Sequence, residues 1–154
     1  MRPVRSLGLL VVGVYAGVAA SAALLKRVLR SRGDATSDEI ALVAIFDGVQ
    51  LESRAAAFRG GSMLAWLGGI EVDLREAQLA PDARLSLTAL LGGIAVRIPE
   101  EWRVESSVRT LAGGVDVKAL GADDPGAPTL RIDGLAVLGG IAVGAKRRDA
   151  EAET

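Results

Sequence analysis

Apolar and polar positions alternate along the chain in short runs, and a pair of glycines breaks each run at the same place. The clearest copy is Leu87-Thr88-Ala89-Leu90-Leu91-Gly92-Gly93-Ile94-Ala95-Val96-Arg97-Ile98. The phrase recurs around Gly68-Gly69, Gly113-Gly114 and Gly139-Gly140, with a weaker copy at Asp47-Gly48. With the second glycine of each copy as a marker, the steps between Gly48, Gly69, Gly93, Gly114 and Gly140 are 21, 24, 21 and 26 residues. A period of this size predicts stacked repeats, each too small to bury an apolar face alone.

The columns agree from copy to copy. One residue after the marker stand Val49, Ile70, Ile94, Val115 and Ile141, and three after it stand Leu51, Val72, Val96, Val117 and Val143. Residues two and four after the marker are mostly polar or small. Period-two alternation with β-branched residues on one side predicts a short strand with one buried face. Before the marker, Ala44, Ala65, Ala89, Thr110 and Ala136 form one column, and Phe46, Leu67, Leu91, Ala112 and Leu138 another. Both are expected to point inward. The glycines between the two strands then form a corner, where positive φ or close backbone approach is needed. A β-sandwich whose hairpins carry Gly-Gly turns is the competing arrangement.

Between those two columns lies a third: Ile45, Trp66, Leu90, Leu111 and Val137. If its neighbours point in, it points out, as an apolar stripe suited to a partner. If the pleat fails at the bend, these residues are core instead. They are the candidate interaction residues.

Ahead of the repeats, residues 6–25 carry no charge. As a helix they would span ~30 Å, a bilayer core. Three readings fit: a membrane anchor, a signal peptide cleaved after Ala20-Ser21-Ala22, and a buried helix. Lys26, Arg27, Arg30 and Arg32 follow the run like a stop-transfer flank and favour the anchor. The basic excess on that side places the repeats in the cytoplasm; a cleaved signal peptide would place them outside. Gly13, Gly17 and Ser21 share one helical face and are candidates for helix packing in the membrane. The expected organisation is thus a flank (1–5), a transmembrane helix (6–25), a basic juxtamembrane helix and linker (26–39), a β-solenoid (40–145) and a charged tail (146–154). The fold class is an all-β solenoid, single-stranded and β-helix-like with about five rungs, behind one N-terminal transmembrane α-helix.

Composition narrows the chemistry. The chain has 154 residues, a net charge of −1 and 3% aromatics, which gives nucleic acid neither a basic surface nor stacking platforms. It has no cysteine and no histidine, so Cys or His metal sites and a histidine-activated nucleophile are excluded. Glu52, Glu71, Asp73 and Asp116 fall on outward positions and read as a solvated ladder, with Asp73 beside Arg97 of the next rung. No phosphate-binding glycine motif occurs. No catalytic residue, cofactor, metal or small-molecule substrate is expected.

Leu67-Gly68-Gly69-Ile70-Glu71-Val72-Asp73-Leu74-Arg75-Glu76-Ala77, Gly92-Gly93-Ile94-Ala95-Val96-Arg97-Ile98-Pro99-Glu100-Glu101-Trp102-Arg103-Val104 and Leu130-Arg131-Ile132-Asp133-Gly134-Leu135-Ala136-Val137-Leu138-Gly139-Gly140 resemble the C-terminal domain of the LiaF-like, cell-wall-active-antibiotics-response family. The family commonly has Phe before its glycines, where this chain has Leu or Ala; only Phe46 keeps the aromatic. The resemblance implies a membrane-tethered, non-enzymatic β-solenoid, associated in some members of the family with restraint of a sensor kinase in envelope-stress signalling, and so an interaction or regulatory module in cell-envelope stress sensing or signalling. Bactofilins, which polymerise through β-helix ends, share the expected architecture, so a self-assembling scaffold is the alternative. The expected partners are the membrane and a membrane or signalling protein, or a second copy.

Overall fold

The alternating runs form ten strands in the computed structural model, which describes residues 31–118 and 123–145. In chain order these are β1 (Glu39–Ile45), β2 (Gly48–Glu52), β3 (Phe58–Trp66), β4 (Gly69–Asp73), β5 (Leu79–Leu90), β6 (Gly93–Ile98), β7 (Arg103–Leu111), β8 (Gly114–Lys118), β9 (Thr129–Val137) and β10 (Gly140–Ala145). Each odd strand, its corner and the following even strand make one coil. The odd strands form one five-stranded sheet and the even strands another. Every pairing between named strands is parallel, so hairpins with Gly-Gly turns are ruled out.

The marker columns line up between the sheets. Ile70 pairs in register with Ile94, Ile94 with Ile141, and Ile141 with Val115. Val72, Val96 and Val143 form the next buried row, while Val115 and Val117 at the margin are only half-buried. Ala44, Ala65, Ala89 and Ala136 are fully buried in the first sheet. Trp102, just ahead of β7, is part of the core.

The coil order corrects the expected architecture. A single-stranded β-helix stacks its rungs in sequence order. Here the sheets run β1-β3-β5-β9-β7 and β2-β4-β6-β10-β8, so the fifth coil lies between the third and the fourth. The inward faces give the reason. The fifth coil offers Leu130, Ile132, Ala136, Ile141 and Val143, all buried. The fourth offers Val104, Ser106, Val108 and Thr110 from β7, opposite Leu130, Ile132, Gly134 and Ala136. Two hydroxyl side chains on an inward face would lose water in the middle of the stack, a cost avoided at its end. Only Gly134 fits the crossing of β5 and β9, since a Cβ there would stand under 3.0 Å from the Leu87 carbonyl oxygen. The bond from Arg103 N–H to the Pro128 carbonyl, 2.8 Å, ties the start of β7 to the chain entering β9.

A second correction concerns the segment ahead of the strands. The transmembrane helix expected over 6–25, with Gly13, Gly17 and Ser21, lies outside the described residues, as do the tail 146–154 and most of the basic juxtamembrane stretch. Among the described residues no helix is long and apolar enough to cross a membrane. Residues 31–38, within the expected juxtamembrane helix and linker (26–39), fold back along β1. Arg32 and Ala41 exchange both backbone hydrogen bonds in an antiparallel bridge, at 2.6 and 2.7 Å. Ser31 Oγ accepts from the Val43 N–H at 2.9 Å. Asp34 closes the turn, accepting from the Thr36 N–H and hydroxyl and from the Ser37 hydroxyl. Those bonds hold its carboxyl below the usual carboxylate range, the Thr36 backbone bond contributing most.

The corner glycines divide into two kinds. On the first glycine of each pair a Cβ would point at the neighbouring coil: Gly68 at the Asp47 carbonyl, Gly92 at Gly68, Gly139 at Gly92 and Gly113 at Gly139, each under 3.0 Å. On the second glycine it would meet open space or an atom no nearer than 3.8 Å. Gly139→Ala should therefore cost about 2–4 kcal/mol, as overpacking against backbone does. Gly140→Ala should stay within about 0.5–1 kcal/mol of the parent, on either side. Urea denaturation of the two variants checks the contrast; equal losses would contradict this assignment.

Candidate docking surface

Sheet hydrogen bonding runs unbroken into the corner. Phe46 N–H donates to the Trp66 carbonyl (3.2 Å), Leu67 to Leu90 (3.0 Å), Leu91 to Val137 (2.9 Å) and Leu138 to Leu111 (3.1 Å). One step on, Gly69 donates to Asp47, Gly93 to Gly68, Gly140 to Gly92 and Gly114 to Gly139. The sharp bend falls on the residue before the glycines. Phe46, Leu67, Leu91, Ala112 and Leu138 all have positive φ, between 50° and 58°. The glycines of the pairs do not, so the positive φ expected of them belongs to their neighbour.

This left-handed turn reverses the expected direction of that column. Phe46, Leu67, Leu91 and Leu138 point out, at 50%, 40%, 51% and 60% exposure. With Trp66 (37%) and Leu111 (63%) they make up all the exposed large hydrophobics among the described residues, and all six sit on this one corner. The candidate column forms the adjoining ladder: Ile45 pairs with Trp66, Trp66 with Leu90, Leu90 with Val137 and Val137 with Leu111. Its members differ in exposure. Ile45 is buried (1%), Leu90 and Val137 are half-buried, and Trp66 and Leu111 are open. The ridge thus combines part of the expected stripe with a row that parity assigned to the core. The signal for that row was the glycine pair itself, since a bend so tight breaks the pleat before it.

Beside the ridge runs a furrow of ≈ 680 Å³. Its floor is the second-glycine row, Gly48, Gly69, Gly93, Gly140 and Gly114 in stacking order. Gln50, Glu71, Ala95, Ala142 and Asp116 border it on the far side. Five parallel strands at ~4.8 Å spacing make a track roughly 19 Å long. A backbone strip without side chains lets a partner lie close against it.

The outward charges pair locally. Asp73 stands in register with Arg97, as expected, but binds Arg75 of its own coil, with Nε 2.9 Å from both carboxylate oxygens and Nη2 at 2.6 Å from one. Arg97 instead meets Glu71 at 2.5 Å. Burial pushes the Asp73 carboxyl up, yet the Arg75 side-chain and backbone hydrogen bonds outweigh it and its pKa falls. Asp116 pairs with Lys118 at 3.4 Å. Among the described residues no group of three or more acidic side chains lies where it would hold a metal ion.

Uncharacterized protein MT0994 of Mycobacterium tuberculosis (strain CDC 1551 / Oshkosh) is similar to this chain, 31% identical over 84 residues. The shared stretch is 54% of this chain and 42% of the relative, so the chain spans less than half the relative's length. No family model matches the chain. No solved structure matches it.

A β-unbranched apolar residue at positive φ carries strain of roughly 1 kcal/mol, which Asn largely escapes. Leu91→Asn with Leu138→Asn should therefore leave stability unchanged or raise it by up to about 1–2 kcal/mol, while removing apolar surface. A shift of the urea midpoint to lower concentration would show that these leucines serve the fold.

Proposed function

We propose that this protein is a non-enzymatic docking module, and that its apolar corner holds a partner protein. One observation carries the reading. Four of the five left-handed corner positions bear Phe or Leu, exposed to water and strained. Stability alone favours Gly or Asn at such a φ and a polar side chain at such exposure. A contiguous apolar patch rimmed by polar residues is the usual mark of an interaction site. The glycine furrow beside it admits close approach of a backbone, and its far border of Gln50, Glu71, Ala95, Ala142 and Asp116 supplies polar groups along one side.

The LiaF-like resemblance supports a more specific role, in which the partner is a membrane or signalling protein of the envelope-stress response and the module works at the cell membrane, with the coils on the cytoplasmic side. The corner is a surface for recognition and carries no group that does chemistry. Regulation follows if the partner's active and resting forms differ in affinity for the ridge.

A photo-crosslinking amino acid at position 91 or 138 in living cells should give one discrete protein adduct, and none from Ser62 on the open face of β3. Leu67→Asp placed beside either probe should abolish the adduct, with β-sheet content unchanged by circular dichroism. Identical adducts from positions 62 and 138 would defeat the proposal.

A further inference from the structure

The two ends of the stack are finished differently. At the first coil, residues 31–32 occupy the outer edge of β1 through the Arg32–Ala41 bridge and the Ser31 hydroxyl. At the other end, β7 pairs among the described residues only with β9, on its inner side. Its outer edge is nine residues long and contains no proline and no lysine, and its pairing with β9 runs without a bulge. Proline, lysine and bulges are among the devices that blunt an edge; this one carries only the charges of Arg103, Glu105 and Arg109. Behind the edge, Val104 and Val108 are only half-buried, though they pack against the core.

The outward charges of β7 suit a particular neighbour. In order they are Arg103, Glu105, Ser107 and Arg109, followed by Leu111. Antiparallel pairing with an identical strand, centred on Ser107, sets Glu105 opposite the second copy's Arg109 and Arg109 opposite its Glu105. Two cross-strand ion pairs form at once. On the inward side the same register sets Val104 opposite Thr110 and Ser106 opposite Val108, so each copy lids the other's open core. Glu105 already reaches Arg131 of β9 at 3.3 Å, and Arg109 has no ion-pair partner among the described residues. The second copy's Glu105 supplies one.

We infer that two copies of this chain join through β7 in a closed two-fold pair, the first sheet continuing from one copy into the other. The guard on β1 blocks the head-to-tail stacking that would make a filament, because β7 of one copy cannot reach β1 of the next. A two-fold contact uses the outer edge of β7 in both copies and covers it in both.

The chain has no cysteine, so a single introduced thiol reports cleanly. In the purified full chain, Ser107→Cys should give a disulfide-linked dimer on mild oxidation, because residue 107 faces itself across the axis. Ser62→Cys, in the middle of the sheet face, should not. Adding Arg109→Glu to the Ser107→Cys chain should cut the dimer by about tenfold, and so should adding Glu105→Arg to it. Mixing those two chains should restore it as a heterodimer, since every facing pair is again opposite in charge. Equal crosslinking at 62 and 107 would overturn the inference, and so would a mixture no better than either variant alone. Circular dichroism of each variant separates lost pairing from lost fold.

Discussion

Stacking depends on how near one corner can come to the next. At each step the first glycine lies against the backbone of the adjacent coil, with its missing Cβ directed toward the first coil. The corner hydrogen bonds from Gly69, Gly93, Gly140 and Gly114 close only because of that approach. A side chain at Gly68, Gly92, Gly113 or Gly139 would push against the backbone of the neighbouring coil where the two sheets meet. The direction of the vector also explains the weaker first copy. Asp47 occupies the equivalent position in the first coil, on whose outer side no further coil stands among the described residues, and its carboxylate accepts from the Ile45 N–H at 3.2 Å.

Much of this was legible in the sequence. The marker spacing and the two β-branched columns identified the strands, their faces and their register, because a parallel stack repeats the same inward demand at every level. Two things did not follow from columns. Parity predicts direction only while the pleat lasts, and a left-handed residue ends it. Phe46, Leu67, Leu91 and Leu138 were therefore assigned inward and are outward. Sequence order predicts stacking order only when every coil is equally apolar inside.

The second failure had a visible cause. Ser106 and Thr110 stand where other coils carry Leu, Ile or Ala, and the connection from Lys118 to Thr129 is longer than the turns that precede it. A polar inward face followed by a long connector is what lets a later, greasier coil take the inner position. The last coil is consequently held on both sides, while the fourth is exposed. β7 and β8 therefore pair with no strand that precedes them in the chain, only with β9 and β10.

The same polarity difference decides where the molecule can be sociable. A stack that ended in its most apolar coil would present a wholly apolar inner face at its last edge; one that ends in Ser106 and Thr110 presents a mixed one, which costs less to expose and still leaves Val104 and Val108 half-buried. The corner is the opposite case. Its leucines gain nothing for the fold from exposure, and they bend the backbone into a region that costs energy. The first glycines force the bend into the preceding residue, and the bend turns that residue outward. Any side chain placed there is on display. Choosing Leu and Phe for that place, coil after coil, converts a constraint of stacking into a straight apolar track with a glycine floor beside it.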